Sequence, residues 1–469
     1  MSHDVPNALQ SRLAEHDQSH VLRWWDELDS DQKSQLTSQL DGIDFAVLNR
    51  CLSAKSTDES DTPAAKAQRA TPPTEIVRLP QTPAELKAYQ AAEETGQEML
   101  RAGRVGVVLV AGGQGTRLGF PHPKGMFPVG PVSGSTLFQI FAEQVSARSR
   151  DAGAIIPFYI MTSEATHAET VDFWESQEFF GLDPSSVRFF QQGTMPAVDA
   201  ETHRLLLAEP HRLCTSPDGH GGLLAALDKS GCLDDMRQRG VDRLFYHQVD
   251  NPTVKVCDPA FLGFHELRNS ELSSKVVPKR SAEEKMGVVV AVDGVTQIIE
   301  YSDLPPDVAA RTTSDGELEL WCGSIAVHVF SRDFLERLIG SDAALPFHLA
   351  HKKVLHIDGN ARLVQPNSPN AIKFERFIFD ALPHAKTALV MEADRAREFN
   401  PVKNAEGQDS PATARAAITR IAREWLQAAD QPVPESAEIE IGPLFALDAE
   451  QVQKRFDSEN QFASRTFFG

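Results

Sequence analysis

A glycine-rich turn beside two cations is the part of the sequence whose residue types are best suited to chemistry. Residues 107–119 read VVLVAGGQGTRLG, an apolar run that ends in glycines. These glycines are Gly112, Gly113 and Gly115. Without a Cβ to block unusual backbone angles or a close phosphate, their main-chain N–H groups can face anionic oxygens. Arg117 and Lys124 add positive charge, so the pattern is typical of a loop that binds a nucleoside triphosphate.

Two commoner phosphate-binding loops fit this segment poorly. A Walker loop needs Gly-Lys followed by Ser or Thr, whereas Thr116 and Arg117 follow Gly115 here. The glycine spacing is loosely that of a dinucleotide fingerprint, which also needs an acid about 20 residues further on. No Asp or Glu occurs between Arg117 and Ala142, so a ribose-binding acid is missing.

Further blocks then follow the glycine loop in a recognisable order, and together they extend over about residues 105–405. They read PKGM, STLFQIFAEQ, IMTSEAT, FFQQGTMPAV, SPDGHGG, QVDNPTVKVCDPAFLGF, KMGVVVAVDGVTQIIEYSDLP, PNAIKFERFIFD and EFNPVKNA. With these blocks the chain resembles the eukaryotic-type UDP-sugar pyrophosphorylases, especially those that act on N-acetylhexosamines. A chance glycine loop would not reproduce so many blocks in order.

The resemblance implies attack by a sugar-1-phosphate oxygen on the α-phosphorus of UTP, with pyrophosphate as the leaving group. Since the nucleophile is already an anion, cations and geometry would supply the catalysis. Carried over residue by residue, the family's catalytic cations are Arg117, Lys124 and Lys403, and Thr116 joins the three glycines in binding the nucleotide.

The same resemblance assigns the remaining nucleotide and metal ligands. Asp250 of QVDNP is expected to bind Mg²⁺, a hard cation that prefers carboxylate and phosphate oxygens. Gln191 of FFQQGTMP would read the donor and acceptor edge of uracil, with Gly219 as a backbone partner. His220 could contact the sugar or phosphate, or be a hydrogen-bonded loop histidine, and Lys373 is a further phosphate-binding candidate.

The sugar side matches the family in part. Glu300 and Tyr301 of IIEYSDLP match a pair that contacts the sugar, and Phe377 and Phe379 match an aromatic wall near an N-acetyl pocket. Carboxylates that accept hydroxyl hydrogen bonds are well suited to position a sugar.

Three positions depart from that pattern. Ser324, after Gly323, stands where the family has a sugar-contacting Asn, and His220 stands where the N-acetylhexosamine enzymes usually have Asn. His220 is closer to the UDP-glucose pyrophosphorylase pattern, and Ala371 replaces a glycine. Loss of a buried amide changes which substrate hydroxyl or amide is accepted. N-acetylglucosamine 1-phosphate is therefore the first expectation, and glucose 1-phosphate or a broad sugar specificity is the second.

Two further interpretations fit the sequence less well. A protein that keeps the fold but only binds UDP-sugars is disfavoured, because a binder has less need of Arg117, Lys124, Asp250 and Lys403 together. His348 and His351 stand three apart, as zinc ligands on a helix can, but no third ligand with suitable spacing accompanies them.

Composition favours a large cytoplasmic enzyme that acts on small molecules. The 469 residues carry a net charge of −20 without a basic block, which disfavours nucleic acid and membrane partners. Five cysteines without C-x-x-C spacing indicate reduced thiols. No signal peptide or membrane-spanning stretch is evident, and a monomer or weak dimer is expected.

The elements that must position these residues alternate between strand-like and helical patterns, which predicts an α/β fold with a mostly parallel mixed sheet. By resemblance this is a Rossmann-like, GT-A-like nucleotidyltransferase domain, in which Ser135 is expected to cap the first helix. Three parts are expected: a helical lobe at 1–104, a catalytic domain at 105–398 and a small lobe at 399–469. Residues 53–74, rich in Ser, Thr, Ala and Pro, are expected to be a flexible linker.

Overall fold

A computed structural model describes residues 5–53, 62–341, 345–431, 433–434, 437–456 and 462–469. Contacts divide the chain into two compact units. The sheet unit comprises residues 62–191, 224–344 and 379–469, and the helix–hairpin unit comprises residues 1–61, 192–223 and 345–378. The three-part division expected above concerns folding domains and stays a prediction.

The helices lie in both units. They are α1 Asn7–Glu15, α2 Ser30–Asp41, α3 Phe45–Ser53, α4 Pro63–Arg69, α5 Pro83–Arg101, α6 Leu137–Ala152, α7 His167–Ser176, α8 Leu223–Lys229, α9 Cys232–Arg239, α10 Pro259–Leu267, α11 Pro306–Ala309, α12 Arg332–Ile339, α13 Arg395–Glu398, α14 Pro411–Ala428 and α15 Ala449–Arg455.

The strands are mostly short outside the central sheet. They are β1 Ile76–Val77, β2 Val105–Val110, β3 Phe158–Thr162, β4 Val187–Gln191, β5 Thr194–Pro196, β6 Val198–Asp199, β7 Leu207–Glu209, β8 Arg212–Leu213, β9 Thr215–Pro217, β10 Arg243–Gln248, β11 Leu272–Pro278, β12 Val288–Val292, β13 Val295–Ile299, β14 Cys322–Ser331, β15 His348–Lys352, β16 His356–Ile357, β17 Leu363–Val364, β18 Ala371–Glu375, β19 Ala388–Glu392, β20 Glu438–Ile441 and β21 Arg465–Phe468.

The sheet unit is built on a mixed sheet with the order β1-β19-β11-β14-β10-β2-β3-β4, and the β12–β13 hairpin pairs with β14. Strand β2 runs parallel to both β3 and β10, and β4 runs parallel to β3. Strand β14 is antiparallel to β10 and β11. The predicted α/β fold with a mostly parallel mixed sheet is confirmed.

Both faces of this sheet are covered, as its apolar strands require. Phe158 and Ile160 of β3 share a core with Phe138 and Phe141 of α6. Tyr159 points to the other face, where its hydroxyl donates to Asp235 of α9 over 2.8 Å. Successive residues of a strand face opposite sides, so β3 is buried between two helical layers.

Close helix packing behind the sheet depends on two glycines. A Cβ on Gly96 of α5 would lie 1.9 Å from the carbonyl oxygen of Pro259, and one on Gly263 of α10 would lie 1.6 Å from that of Ala92. Neither position can hold a larger residue without separating α5 from α10.

The helix–hairpin unit encloses its own core. The N-terminal segment of this unit forms α1, α2 and α3, whose Leu13, Leu36 and Leu40 are fully buried. These helices pack on β6, β7 and β8 and on β18. The β15-β18-β6 sheet completes the unit.

Two local expectations are wrong. Residues 62–74 are not a flexible linker throughout, because Pro63–Arg69 forms α4 and Thr71 forms an antiparallel bridge with Ala291. Residues 54–61 lie outside the described residues. The N-cap of α6 is Thr136, whose hydroxyl accepts the N–H of Gln139, whereas Ser135 receives a hydrogen bond from Ser133.

The five cysteines are free thiols, as expected. In the described part of the chain, no helix combines the length and apolar character needed to cross a membrane.

Candidate active site

The glycine loop leaves the carboxyl end of β2 and folds back on itself. The N–H of Lys124 donates to the carbonyl of Gly113 over 3.0 Å, and the N–H of Gly115 donates to that of His122 over 2.9 Å. Gln114 and Pro123 form the bridge between these bonds. The two cation-bearing segments of the loop are therefore held side by side.

Glycine is suited to the different positions of this loop for different physical reasons. A Cβ on Gly113 would meet nothing within 4 Å, whereas one on Gly115 would lie 2.8 Å from the carbonyl oxygen of Phe120. Positive φ occurs at Gly119, at 69°, and not at Gly112, Gly113 or Gly115. A left-handed backbone is therefore not the reason for glycine at these three positions. Gly113 instead leaves open space beside its backbone.

The two cations of the loop are accessible. Arg117 is exposed and Lys124 is half-buried. Within the described ranges, neither side chain has a hydrogen-bond, ion-pair or ring partner. Cations without a protein counter-ion are available to an anionic ligand.

Asp250 and Lys403 are brought together on the sheet unit. Asp250 follows β10, and its carbonyl accepts the N–H of Val402 over 2.7 Å. Asn251 reinforces this contact, because its amide donates to the carbonyl of Glu398 over 2.7 Å and accepts the N–H of Asn400 over 3.1 Å. Lys403 thus lies on a segment that is hydrogen-bonded to the loop carrying Asp250.

The glycine loop and Asp250 leave the same edge of the sheet. Gln248 of β10 is paired with Val110 of β2, and the N–H of Val249 donates to the Val110 carbonyl over 3.1 Å. The carboxyl ends of parallel strands are where ligands bind in open α/β sheets. Arg117, Lys124, Asp250 and Lys403 therefore lie on segments that converge at this edge.

Gln191 ends β4 at the same edge and is exposed. It is paired with Thr162 of β3, the strand between β4 and β2. Next along the chain, the Ser163 hydroxyl donates to the carbonyl of Gly112 over 2.9 Å. The sequence reasoning missed Ser163, although a serine in the IMTSEAT block directly after a buried strand is a usable signal.

Part of the sugar-binding set is also assembled in the sheet unit. A Cβ on Gly287 would lie 3.2 Å from a carboxylate oxygen of Glu300, and the Gly287 carbonyl accepts the N–H of Ser324 over 2.8 Å. Gly323 pairs with the next residue, Val288. Tyr301 is 48% exposed. Glu300, Gly323 and Ser324 are thus neighbours around Gly287, while Tyr301 projects towards solvent.

The helix–hairpin unit carries Gly219, His220, Lys373 and Phe377. Gly219 has a φ of 83° and lies so close to Arg376 that a Cβ would be 2.4 Å from its carbonyl oxygen. His220 accepts the N–H of Ile378 at Nδ1 over 3.2 Å and stacks on Phe377. Burial, with a smaller effect of His348, lowers the pKa of His220 to about 4. A neutral His220 therefore presents Nε2 as a donor near neutral pH.

The remaining candidates are two phenylalanines, a lysine and a pair of histidines. Phe377 is half-buried with His348 against its ring at 4.5 Å, but Phe379 is buried at 7% exposure and is part of the interior. Lys373 lies on β18 opposite Ala350. His348 and His351 lie on a strand, not a helix. Since residues three apart on a strand face opposite sides, they cannot form the zinc pair considered above.

The donor set around Asp250 suits a magnesium ion shared with a phosphate ligand. Among the described residues, no group of three or more His, Cys, Asp or Glu side chains could hold a metal by itself. Mg²⁺ is usually held by only one or two carboxylates together with substrate phosphates and water. The half-buried Asp250, at the same edge of the sheet as the glycine loop with its two cations, fits that arrangement.

The sequence is similar to known proteins over most of its length. Residues 47–462 match the family model described as UTP–glucose-1-phosphate uridylyltransferase. The chain is 38% identical to the human UDP-N-acetylhexosamine pyrophosphorylase-like protein 1, over 89% of this chain and 84% of the relative. It is 33% identical to the UDP-N-acetylglucosamine pyrophosphorylase of Saccharomyces cerevisiae, over 93% and 94%.

Solved structures are also similar to this chain over most of its length. The uridine diphosphate N-acetylglucosamine pyrophosphorylase from Trypanosoma brucei superposes with a TM-score of 0.83 at 26% identity, covering 98% of this chain and 97% of that one. A UDP-glucose phosphorylase from the same organism has a TM-score of 0.63 at 16% identity, covering 91% of this chain and 87% of that one, a likeness of fold alone.

Proposed function

The chain belongs to the UTP–glucose-1-phosphate uridylyltransferase family, and we propose that it forms UDP-N-acetylglucosamine and pyrophosphate from UTP and N-acetylglucosamine 1-phosphate. The observation that carries the proposal is the convergence of Arg117, Lys124, Asp250 and Lys403 at the carboxyl ends of β2 and β10. An enzyme that brings two anions together needs cations such as Arg117, Lys124 and Lys403 concentrated locally in a protein of net charge −20.

Each group has a role in the transfer. Arg117 and Lys124 would bind the triphosphate and stabilise the charge that develops on departing pyrophosphate. Lys403 would bind phosphate oxygens from the segment beside Asp250, which orients the nucleophile for attack on the α-phosphorus. Mg²⁺ bound to Asp250 and the phosphates would neutralise further charge on UTP. The phosphate nucleophile is already ionised, so no side chain has to remove a proton from it.

The sugar assignment is supported by the relatives' names, and it must accommodate Ser324. Its Oγ accepts the N–H of Ala326 over 3.3 Å, which leaves the hydroxyl proton able to donate to a substrate oxygen. Glu300 also lies close to Gly287, and its carboxylate can accept a sugar hydroxyl. Glucose 1-phosphate is the alternative substrate, because Ser324 and His220 replace the amides expected for an N-acetylhexosamine.

The transfer reaction can be tested at Arg117. Arg117→Ala should lower kcat for pyrophosphate release by about 10²–10³-fold, because one preorganised donor to the transition state is lost. The matched control is Arg101→Ala on α5, where the guanidinium donates to Gln97 over 3.1 Å. Near-normal turnover in Arg117→Ala, or an equal loss in the control, would contradict this role.

A further inference from the structure

A buried ion network lies behind the segments that carry Asp250 and Lys403. Lys275 is in the central strand β11 and is 0% exposed. Its ammonium group donates to Asp258 over 2.6 Å and to Glu398. Burial opposes the charged form, but the two carboxylates outweigh it and raise the pKa of Lys275 above its ordinary value. The lysine is therefore charged in the folded protein.

The two carboxylates belong to the two segments of the site. Asp258 ends the segment that begins at Asp250, immediately before α10. Glu398 ends α13 and begins the segment that reaches Lys403. Lys275 consequently joins the far end of one segment to the near end of the other.

Hydrogen bonds then link these segments between the ion network and the site. The side-chain amide of Asn251 donates to the main-chain carbonyl of Glu398 over 2.7 Å. The amide oxygen of Asn251 accepts the N–H of Asn400 over 3.1 Å. The last link is the bond of 2.7 Å from the N–H of Val402 to the carbonyl of Asp250. Each polar group in this series is satisfied by a group on the other segment.

Stability alone is a poor explanation for this arrangement. Replacing a buried ion network by apolar side chains of similar volume is often neutral or stabilising, so such a network is weak evidence for a stabilising role. In contrast, a displacement of about 1 Å in a catalytic group can cost about 100-fold in rate. A fixed Lys403 is what the proposed reaction needs.

We propose that Lys275 is a positioning residue that, through Glu398, fixes Lys403 against Asp250. The inference rests on the proposed function, because the importance of this geometry follows from phosphate binding by Lys403. Lys275 itself is fully buried, so its effect on the site would act through Glu398.

The first test measures amide hydrogen exchange of residues 399–404 without substrate. Glu398→Gln removes the ion pair with Lys275 but keeps the side-chain volume and the Lys275–Asp258 pair. The matched control is Glu266→Gln, which breaks ion pairs with Arg104 and Arg243 at the opposite end of β2 and β10. Faster exchange of 399–404 is expected only in Glu398→Gln. Unchanged exchange would overturn the inference, whatever the activity.

The second test is a double-mutant cycle between Glu398→Gln and Lys403→Ala. Glu398→Gln alone should lower kcat by about tenfold or more with a smaller change in KM for UTP. In the Lys403→Ala background it should cost nothing further, because the group that it positions is absent. Multiplicative losses would overturn the inference. A wild-type protein that releases no pyrophosphate would instead overturn the proposed function.

Discussion

At the scale of single residues, the Mg²⁺ requirement for pyrophosphate release should be set by the carboxylate of Asp250. Asp250→Asn keeps the shape of the side chain but removes the charge that a hard cation prefers. The Mg²⁺ concentration for half-maximal pyrophosphate release should rise by at least about tenfold. The measurement is a Mg²⁺ titration at fixed UTP after removal of metal with a chelator.

The control for this titration lies at the other end of the same strand. Asp242 precedes β10 and pairs with Arg104 over 2.9 Å, so Asp242→Asn removes a carboxylate of comparable exposure away from the site. Equal Mg²⁺ requirements in wild type and Asp250→Asn would remove Asp250 from the metal site.

At the candidate site, the sequence indicated residue types more readily than their contacts. The glycine loop, Asp250 and Lys403 could be chosen because their chemistry and order match a known pattern. Asn251 and Ser163 were missed, since their contacts are with main-chain carbonyls of distant segments. Lys275 offered a usable signal, because a lysine inside the buried strand LSSKVVP needs a counter-ion.

At the scale of elements, the glycine loop can be tested without disturbing the fold. Gly113→Ala adds a methyl group where nothing lies within 4 Å and where φ is not positive. The unfolding midpoint should therefore remain within about 2 °C of wild type, since a surface change of this kind is worth about 0.5 kcal/mol or less. UTP affinity, measured by calorimetry, should fall by at least about tenfold if phosphate approaches this backbone.

Gly125→Ala is the contrasting variant. Its Cβ would lie 2.2 Å from the ring of Phe138, so the fold itself should lose stability. UTP affinity that is unchanged in Gly113→Ala would show that the loop does not bind the triphosphate through this backbone.

Element types followed from hydrophobic periodicity, but element partners did not. The alternation of strand-like and helical patterns predicted the α/β sheet that β2, β3, β4 and β10 form, and helices were expected in the segment that carries α1, α2 and α3. The position of β14 between β10 and β11, antiparallel to both, has no local signal because pairing depends on contacts distant in sequence. The shift of the α6 cap from Ser135 to Thr136 is within the usual uncertainty of helix ends.

At the scale of the whole molecule, three segments far apart in sequence form one compact unit. Residues 1–61, 192–223 and 345–378 share contacts, and the sequence offered no signal that these segments associate. The amphipathic pattern of α1–α3 shows that one face must be buried but does not identify the covering surface. The buried Leu205, Leu207 and Phe374 provide that surface.

Acid sensitivity should be a property of the whole fold. Burial lowers the pKa of His247 to about 3 and that of His265, also close to Arg243, to about 3. On acidification the unfolded chain binds these protons first, so stability present at neutral pH should be lost as the pH falls from about 6.5 towards 3.

A variant at His247 tests the contribution of one of these protons to stability. Its ring packs against Phe141 at 4.7 Å, so His247→Leu keeps an apolar contact and removes the titration. Urea titrations between pH 6 and pH 4 give the free energy of unfolding of wild type and variant. As the pH falls, this free energy should decrease less steeply in His247→Leu than in wild type, with slopes that differ by up to about 1.4 kcal/mol per pH unit. An identical slope in wild type and variant would contradict a neutral, buried His247.

The most direct measurement is competition between sugar 1-phosphates for UTP and Mg²⁺. N-acetylglucosamine, N-acetylgalactosamine, glucose and galactose 1-phosphates would be mixed in equal amounts, and the UDP-sugar products quantified by mass spectrometry as ratios of kcat/KM. We expect UDP-N-acetylglucosamine to exceed UDP-glucose by at least about tenfold, because a site that hydrogen-bonds the N-acetyl group rejects a sugar lacking it. A product pool dominated by UDP-glucose or UDP-galactose would contradict the proposed substrate, and no UDP-sugar at all would contradict uridylyl transfer.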